Sequence, residues 1–122
     1  MADRDPTYQA DCLFCRIVAE EIPSDRVFED EAVIVFRDIN PKAPTHVLAI
    51  PRRHLDSVAD LTDADGDGDL LAALFTAMRR VAEEAGLKSY GILSNVGAEA
   101  GQSVFHLHFH LLGGRPMTWP PG

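Results

Sequence analysis

The run "HLHFHLL", His106 to Leu112, puts a histidine at every second position of an otherwise apolar stretch and holds three of the chain's five histidines. Successive side chains of a β-strand point to opposite faces, so His106, His108 and His110 share one face and Leu107, Phe109 and Leu111 the other. The apolar face is built to pack. The other must find partners for three imidazoles, because a buried polar group without a hydrogen bond is costly. Imidazole is a common metal ligand, and alternate histidines on a strand can share an ion. It is also a nucleophile near neutral pH that leaves readily once phosphorylated, which suits two-step nucleotidyl transfer. A third possibility is a set of histidines held by structural hydrogen bonds alone. The upstream loop "GAEAGQS" favours catalysis at a phosphate. There Gly97, Gly101, Gln102 and Ser103 let backbone N–H groups and polar side chains turn toward an anion. A second reactive group is Cys12-x-x-Cys15. Two cysteines are too few for a disulfide framework, and in a reducing compartment this spacing serves metal binding or redox work.

These residues need a scaffold. At 122 residues the chain suits one domain spanning 1–122, with a loose, polar arm over 1–10 and a proline-stiffened tail over 115–122. "CRIVAEE" reads as a short helix, "RVFED" and "AVIVFRD" as two strands joined tightly, and "NPKAPT" as a proline-fixed loop leading into the strand "HVLAI". From Leu70, apolar residues recur at helical spacing through Ala82, with Gly86 as the stop. "YGILSN" and "FHLHFHLL" supply two further strands. About five strands and two helices, without regular βαβ alternation, predict an α+β fold with an antiparallel sheet. The segment "DADGDGDLLAAL" begins like a calcium loop, but its twelfth position is Leu74 where a bidentate Glu is needed. Its acidic start is better explained by capping of the long helix and its dipole. A formal net charge of −8 argues against nucleic acid or an anionic membrane as the main partner. The apolar stretches are strand-sized and the first residues lack the apolar core of a signal peptide, so a cytoplasmic protein is expected.

"HLHFHLL", in its setting "AGQSVFHLHFHLLGGR" and with the ending "WPPG", resembles the histidine triad family, and within it the Hint branch of nucleoside phosphoramidate hydrolases. The resemblance extends through "FCRIVAEEIPSDRVFEDE" and "RDINPKAPTHVLAIPRRH". It implies a homodimer whose sheet continues across the two chains. It also implies that His108 attacks the α-phosphorus of an adenosine or guanosine 5'-phosphoramidate, giving a nucleotidyl-histidine that water hydrolyses. His110, Gln102 and Ser103 would hold the phosphoryl oxygens, and the Ser103 hydroxyl would help a proton reach the departing nitrogen. Asp38 would accept the ribose hydroxyls, with Leu13, Phe14, Ile17, Phe36 and Ile39 around the purine and Asn95 near the phosphate. His46 would orient the catalytic strand, and Trp119 would approach the partner's active site and influence which amines are accepted. Two cysteines and two histidines suffice for a tetrahedral zinc, and the resemblance points to Cys12, Cys15, His54 and His106. A redox role for the cysteine pair lacks the βαβ context such motifs accompany. No organic cofactor is implied. Two other functions share these residues: a Fhit-type dinucleoside polyphosphate hydrolase with the same nucleophile, and a nucleotide-binding scaffold without turnover.

Overall fold

The computed structural model describes residues 4–121. Strands β1 (Arg26–Glu29), β2 (Val33–Arg37), β3 (Thr45–Pro51), β4 (Tyr90–Leu93) and β5 (Phe109–Gly113) form one antiparallel sheet in the order β1-β2-β3-β5-β4. Helix α1 (Leu13–Val18) lies on one face and helix α2 (Asp65–Glu84) on the other. The period-two alternation of the sequence sorts the side chains. Val33 and Val35, Val47 and Ala49, and Leu107, Phe109 and Leu111 pack with Leu74, Met78 and Val81 of α2. Ile34, Phe36, Leu48 and Ile50 pack with Phe14, Ile17 and Val18 of α1. Leu48 stands opposite His110, so the histidine face is the α1 face. Each fully buried aliphatic side chain stabilises this two-layer core by about 1.5–3 kcal/mol relative to exposure.

The histidine segment is only partly a paired strand. The ladder begins at Phe109, although Leu107 and Phe109 remain buried on the α2 side and His106 and His108 on the other. The alternation therefore outlasts the pairing. At the far end Gly113 lies so close to α2's exit that a Cβ there would stand 2.6 Å from a terminal methyl of Leu87, so a larger residue would have to displace that side chain. The N-terminal arm, expected to be loose, is fastened over its described residues. Arg4 and Tyr8 bond Glu21, and the His54 N–H donates to the Thr7 hydroxyl at 2.6 Å. Polar side chains that look solvated in the sequence find partners here because the arm crosses α1 on its way to Cys12.

Helix α2 starts at Asp65, earlier than the apolar periodicity indicates, and its N-cap residue Ala64 makes no side-chain cap. Asp67 instead ties the helix start to the turn before it. Buried in the first turn, it accepts from the Thr62 N–H at 2.7 Å and the Thr62 hydroxyl at 2.8 Å, and pairs with Arg53 at 2.6 Å. The acidic run is thus helix-start chemistry, and Asp63 and Asp65 belong to no cluster of potential metal ligands among the described residues. Gly86, at φ +72°, closes the helix, with the Leu87 N–H on the Ala82 carbonyl and its own on Glu83. The Arg53 guanidinium and the two Thr62 donors hold the Asp67 carboxyl down at about 2. A depressed carboxylate contributes stability that is present above its unfolded value, about 3.9, and is lost as pH falls toward the folded one. Asp67→Asn should therefore melt earlier than the parent at pH 7 and show a shallower loss of stability between about pH 5 and pH 2. Parallel melting curves across that range would remove Asp67 from the account.

Candidate active site

Two groups of side chains meet along the histidine segment. At its N-terminal end Cys12, Cys15, His54 and His106 converge, their ligand atoms all within 4.8 Å of one another. His106 Nδ1 lies 3.4 Å from Cys12 Sγ and 3.6 Å from Cys15 Sγ, and His54 Nδ1 lies 3.3 Å from Cys15 Sγ. Ligand atoms held 2.1–2.3 Å from a tetrahedral zinc stand about 3.6 Å apart, so the spacing fits. The tautomers fit as well. The His106 Nε2–H donates to the Pro51 carbonyl at 2.8 Å and the His54 Nε2–H to Asp56 at 2.7 Å, which leaves both Nδ1 lone pairs aimed at the sulfurs. Helix α1 supplies the cysteines: Cys12 is its N-cap, and the Cys15 N–H donates to Cys12 Sγ. Burial pushes the Cys15 thiol up to about 12 and holds His106 down at about 4. A redox-active thiol needs the opposite shift, whereas a cation beside the sulfurs supplies the missing stabilisation.

Further along, His108 is buried against the Phe14 ring, 5.1 Å between centroids, and its Nδ1–H donates to the His106 carbonyl at 2.8 Å. That bond leaves Nε2 with its lone pair. The Ser94 hydroxyl donates to the His108 carbonyl at 2.6 Å and anchors the segment from β4's side, a contact that nothing in "LSN" announces. His110 Nδ1 lies 2.9 Å from His46 Nε2, and the Lys42 N–H donates to His46 Nδ1 at 3.0 Å. The proton of His46 must then sit on Nε2 and point at His110, which places the His110 proton on its own Nε2. His46 also stands 3.4 Å from Asp38 Oδ2. Burial lowers His108 and His46, and burial followed by the neighbouring His108 and His46 brings His110 down to about 4. Neutral imidazoles result at pH 7: one with a free lone pair, the next with a free N–H.

The remaining residues singled out from the sequence fall into three places. Phe14, Ile17 and Phe36 are buried in the α1-side core, Phe14 edge-on to Phe36 at 5.5 Å, whereas Leu13 and Ile39 are exposed. Asp38 follows β2, half-buried, its Oδ1 taking the Asn40 N–H at 2.7 Å. The glycine loop is more closed than expected. Gln102, expected at the phosphate, accepts from the Gly97 N–H and donates to the Asp56 and Val104 carbonyls, and Asn95 donates to Ala100. Both amides build the loop, and buried Gln102 must be satisfied in this way. The amides of Gly97, Ala100, Gly101 and Gln102 are likewise bonded within it, while those of Ser103 and Val104 have no partner among the described residues. Trp119 is 88% exposed, although Arg115 ties the start of the tail to the Lys42 carbonyl at 2.8 Å.

Residues 19–117 match the HIT domain model, with the histidine segment inside the match. The chain belongs to the HIT family. It is 46% identical over 112 residues to a 14 kDa zinc-binding protein of Zea mays, covering 90% of this chain and 87% of that one. Among solved structures, a HIT family hydrolase from Legionella pneumophila is 47% identical, with a TM-score of 0.87 over 92% of this chain and all of that one. A HIT family hydrolase from Clostridium thermocellum is 44% identical, with a TM-score of 0.86 over 90% and 96%. The five-stranded antiparallel sheet with one long helix is thus the HIT fold. No helix among the described residues is long and apolar enough to cross a membrane.

Proposed function

We propose that this HIT protein hydrolyses purine nucleoside 5'-phosphoramidates through a nucleotidyl-His108 intermediate, in the manner of the Hint branch. The observation that carries the reading is the pairing of His108 with His110. The first has its Nδ1 proton committed to the His106 carbonyl and a lone pair on Nε2; the second has an N–H directed outward by His46. His108 Nε2 attacks the α-phosphorus, the bond from phosphorus to the amine nitrogen breaks, and the Ser103 hydroxyl gives that nitrogen a proton. His110 and the amides of Ser103 and Val104 hold the phosphoryl oxygens. In the second step water attacks phosphorus, the bond to His108 breaks, and one water proton restores Ser103. Asp38 takes the ribose hydroxyls, with Leu13 and Ile39 against the base and Phe14, Ile17 and Phe36 beneath. Gln102 and Asn95 shape the loop that presents Ser103. Cys12, Cys15, His54 and His106 hold a zinc ion, which braces α1 against the histidine segment; their convergence and the zinc-binding maize relative support the metal, and the hydrolases among the solved relatives support hydrolysis.

The protein acts as a homodimer on this reading. Phe75 on α2 and Tyr90, Ile92 and Leu93 on the edge strand β4 are exposed in the single chain, and pairing along them would extend the sheet. Trp119 then reaches the partner's site. Rates on adenosine 5'-phosphoramidates and on dinucleoside polyphosphates test the function directly. We expect kcat/KM to favour the phosphoramidates by at least about 100-fold, since Ser103 serves an amine leaving group. Acid-quenched reactions should carry the nucleotide on His108. The opposite preference would mark a dinucleoside polyphosphate hydrolase, and binding without turnover a scaffold.

A further inference from the structure

The geometry points to a second compartment of the site, a leaving-group cavity that favours amines bearing an additional positive charge. This inference rests on the phosphoramidate reading above. A cavity of about 470 Å³ opens at the Ser103 end of the histidine segment, with Asp11, Cys12, Leu13, Asp56, Ser103 and Phe105 in its walls.

The site has a direction. β3 and β5 run antiparallel with Thr45 opposite Gly113, and the Asp38 N–H bonds the His46 carbonyl, so Asp38 lies at the His110 end. Cys12, Asp56 and Ser103 gather at the opposite end, where His106 meets Pro51. His108 stands between the two. A nucleotide that reaches Asp38 with its ribose brings phosphorus to His108 and turns its remaining substituent toward Ser103. Cleavage sends the electron pair of the breaking bond to the amine nitrogen, which takes its proton from the Ser103 hydroxyl. The rest of the amine must then extend past Ser103, and that is where the cavity lies.

Its walls select by charge and shape. Phe105 is nearly half exposed, which gives an alkyl or aromatic stem something to cover. Asp11 has no partner among the described residues, and Asp56 uses only Oδ1, on His54. No lysine or arginine among the described residues lines the cavity. The chain's charge of −8 adds a field of the same sign. An ammonium group several bonds beyond the reacting nitrogen meets both carboxylates there, and a carboxylate in its place is repelled.

Three adenosine 5'-phosphoramidates of equal reach separate the outcomes: one made from 1,5-diaminopentane, one from hexylamine and one from 6-aminohexanoate. We expect kcat/KM to fall in that order, with roughly tenfold or more between the first and the last, and the ratio to shrink as salt is raised. Asp11→Lys should bring the ratio to about one or reverse it, and Asp11→Asn should give a value in between. Because each variant is compared with itself across substrates, a general loss of rate does not affect the result. Equal kcat/KM on all three, with good turnover, would overturn the cavity while leaving the phosphoramidate reading intact. No turnover of any of the three beside rapid cleavage of a dinucleoside polyphosphate would overturn both.

Discussion

His108→Ala should reduce turnover of an adenosine phosphoramidate by roughly 10⁴-fold or more while leaving a folded protein that still binds AMP. The loss is large because the substitution removes the atom that bonds phosphorus, and His110 cannot replace it. The lone pair of His110 is occupied by the His46 proton, and what it offers outward is an N–H. The structural cost is smaller. His108 packs against Phe14 and His110, and its loss frees the His106 carbonyl, a buried acceptor worth about 1–3 kcal/mol if left unsatisfied. Circular dichroism and AMP titration would show the fold and pocket intact. Near-parental turnover in this variant would remove His108 as nucleophile. The same burial that keeps His108 and His110 neutral fixes the sign of the pH dependence. Protonation, which would silence the nucleophile, requires a pH below the ordinary histidine value of about 6.5, so the acid limb of kcat/KM should lie under it.

Much of this site is legible in the sequence, and what is not has identifiable reasons. The alternation of "HLHFHLL" reports which side chains share a face, because that depends only on local extended backbone. It does not report where pairing begins, because that depends on β3, far off in the chain, which pairs with β5 only as far as Ala49 although the strand runs on to Pro51. The metal ligands are readable as residue types, and their second partners are not: the Pro51 carbonyl has no side-chain signal, although Asp56 two residues beyond His54 does carry one. Ser94 illustrates the limit. A serine after a strand is an ordinary turn residue until the fold places the His108 carbonyl 2.6 Å away. Gln102 illustrates the converse, a polar side chain in a glycine loop that resembles a ligand until its three hydrogen bonds are counted. The N-terminal arm is misread for the same reason, since composition describes solvation of the isolated segment and not the groups across which it lies.

Purified protein should carry about one zinc per chain by elemental analysis, and Cys12→Ser combined with Cys15→Ser should carry none. The consequences for stability and for chemistry should differ. The metal joins α1 through Cys12 and Cys15 to His54, after β3, and to His106, before β5, so it closes long loops that the unfolded chain leaves open. Its loss removes binding free energy from the folded state alone. A cost of about 3 kcal/mol would lower Tm by roughly 10–15 °C in a domain of this size. The nucleophile is held differently. His108 Nδ1 bonds the backbone carbonyl of His106, not its ring, and Phe14 and Ser94 grip the segment from two other sides. Turnover by the metal-free variant below its melting point should therefore persist at a reduced level, in contrast to the His108→Ala result. Metal-free parent protein with two titratable thiols and the same Tm as the double variant would show that the four residues meet without holding an ion. Complete loss of turnover in a variant that stays folded would instead assign the metal a part in positioning His108.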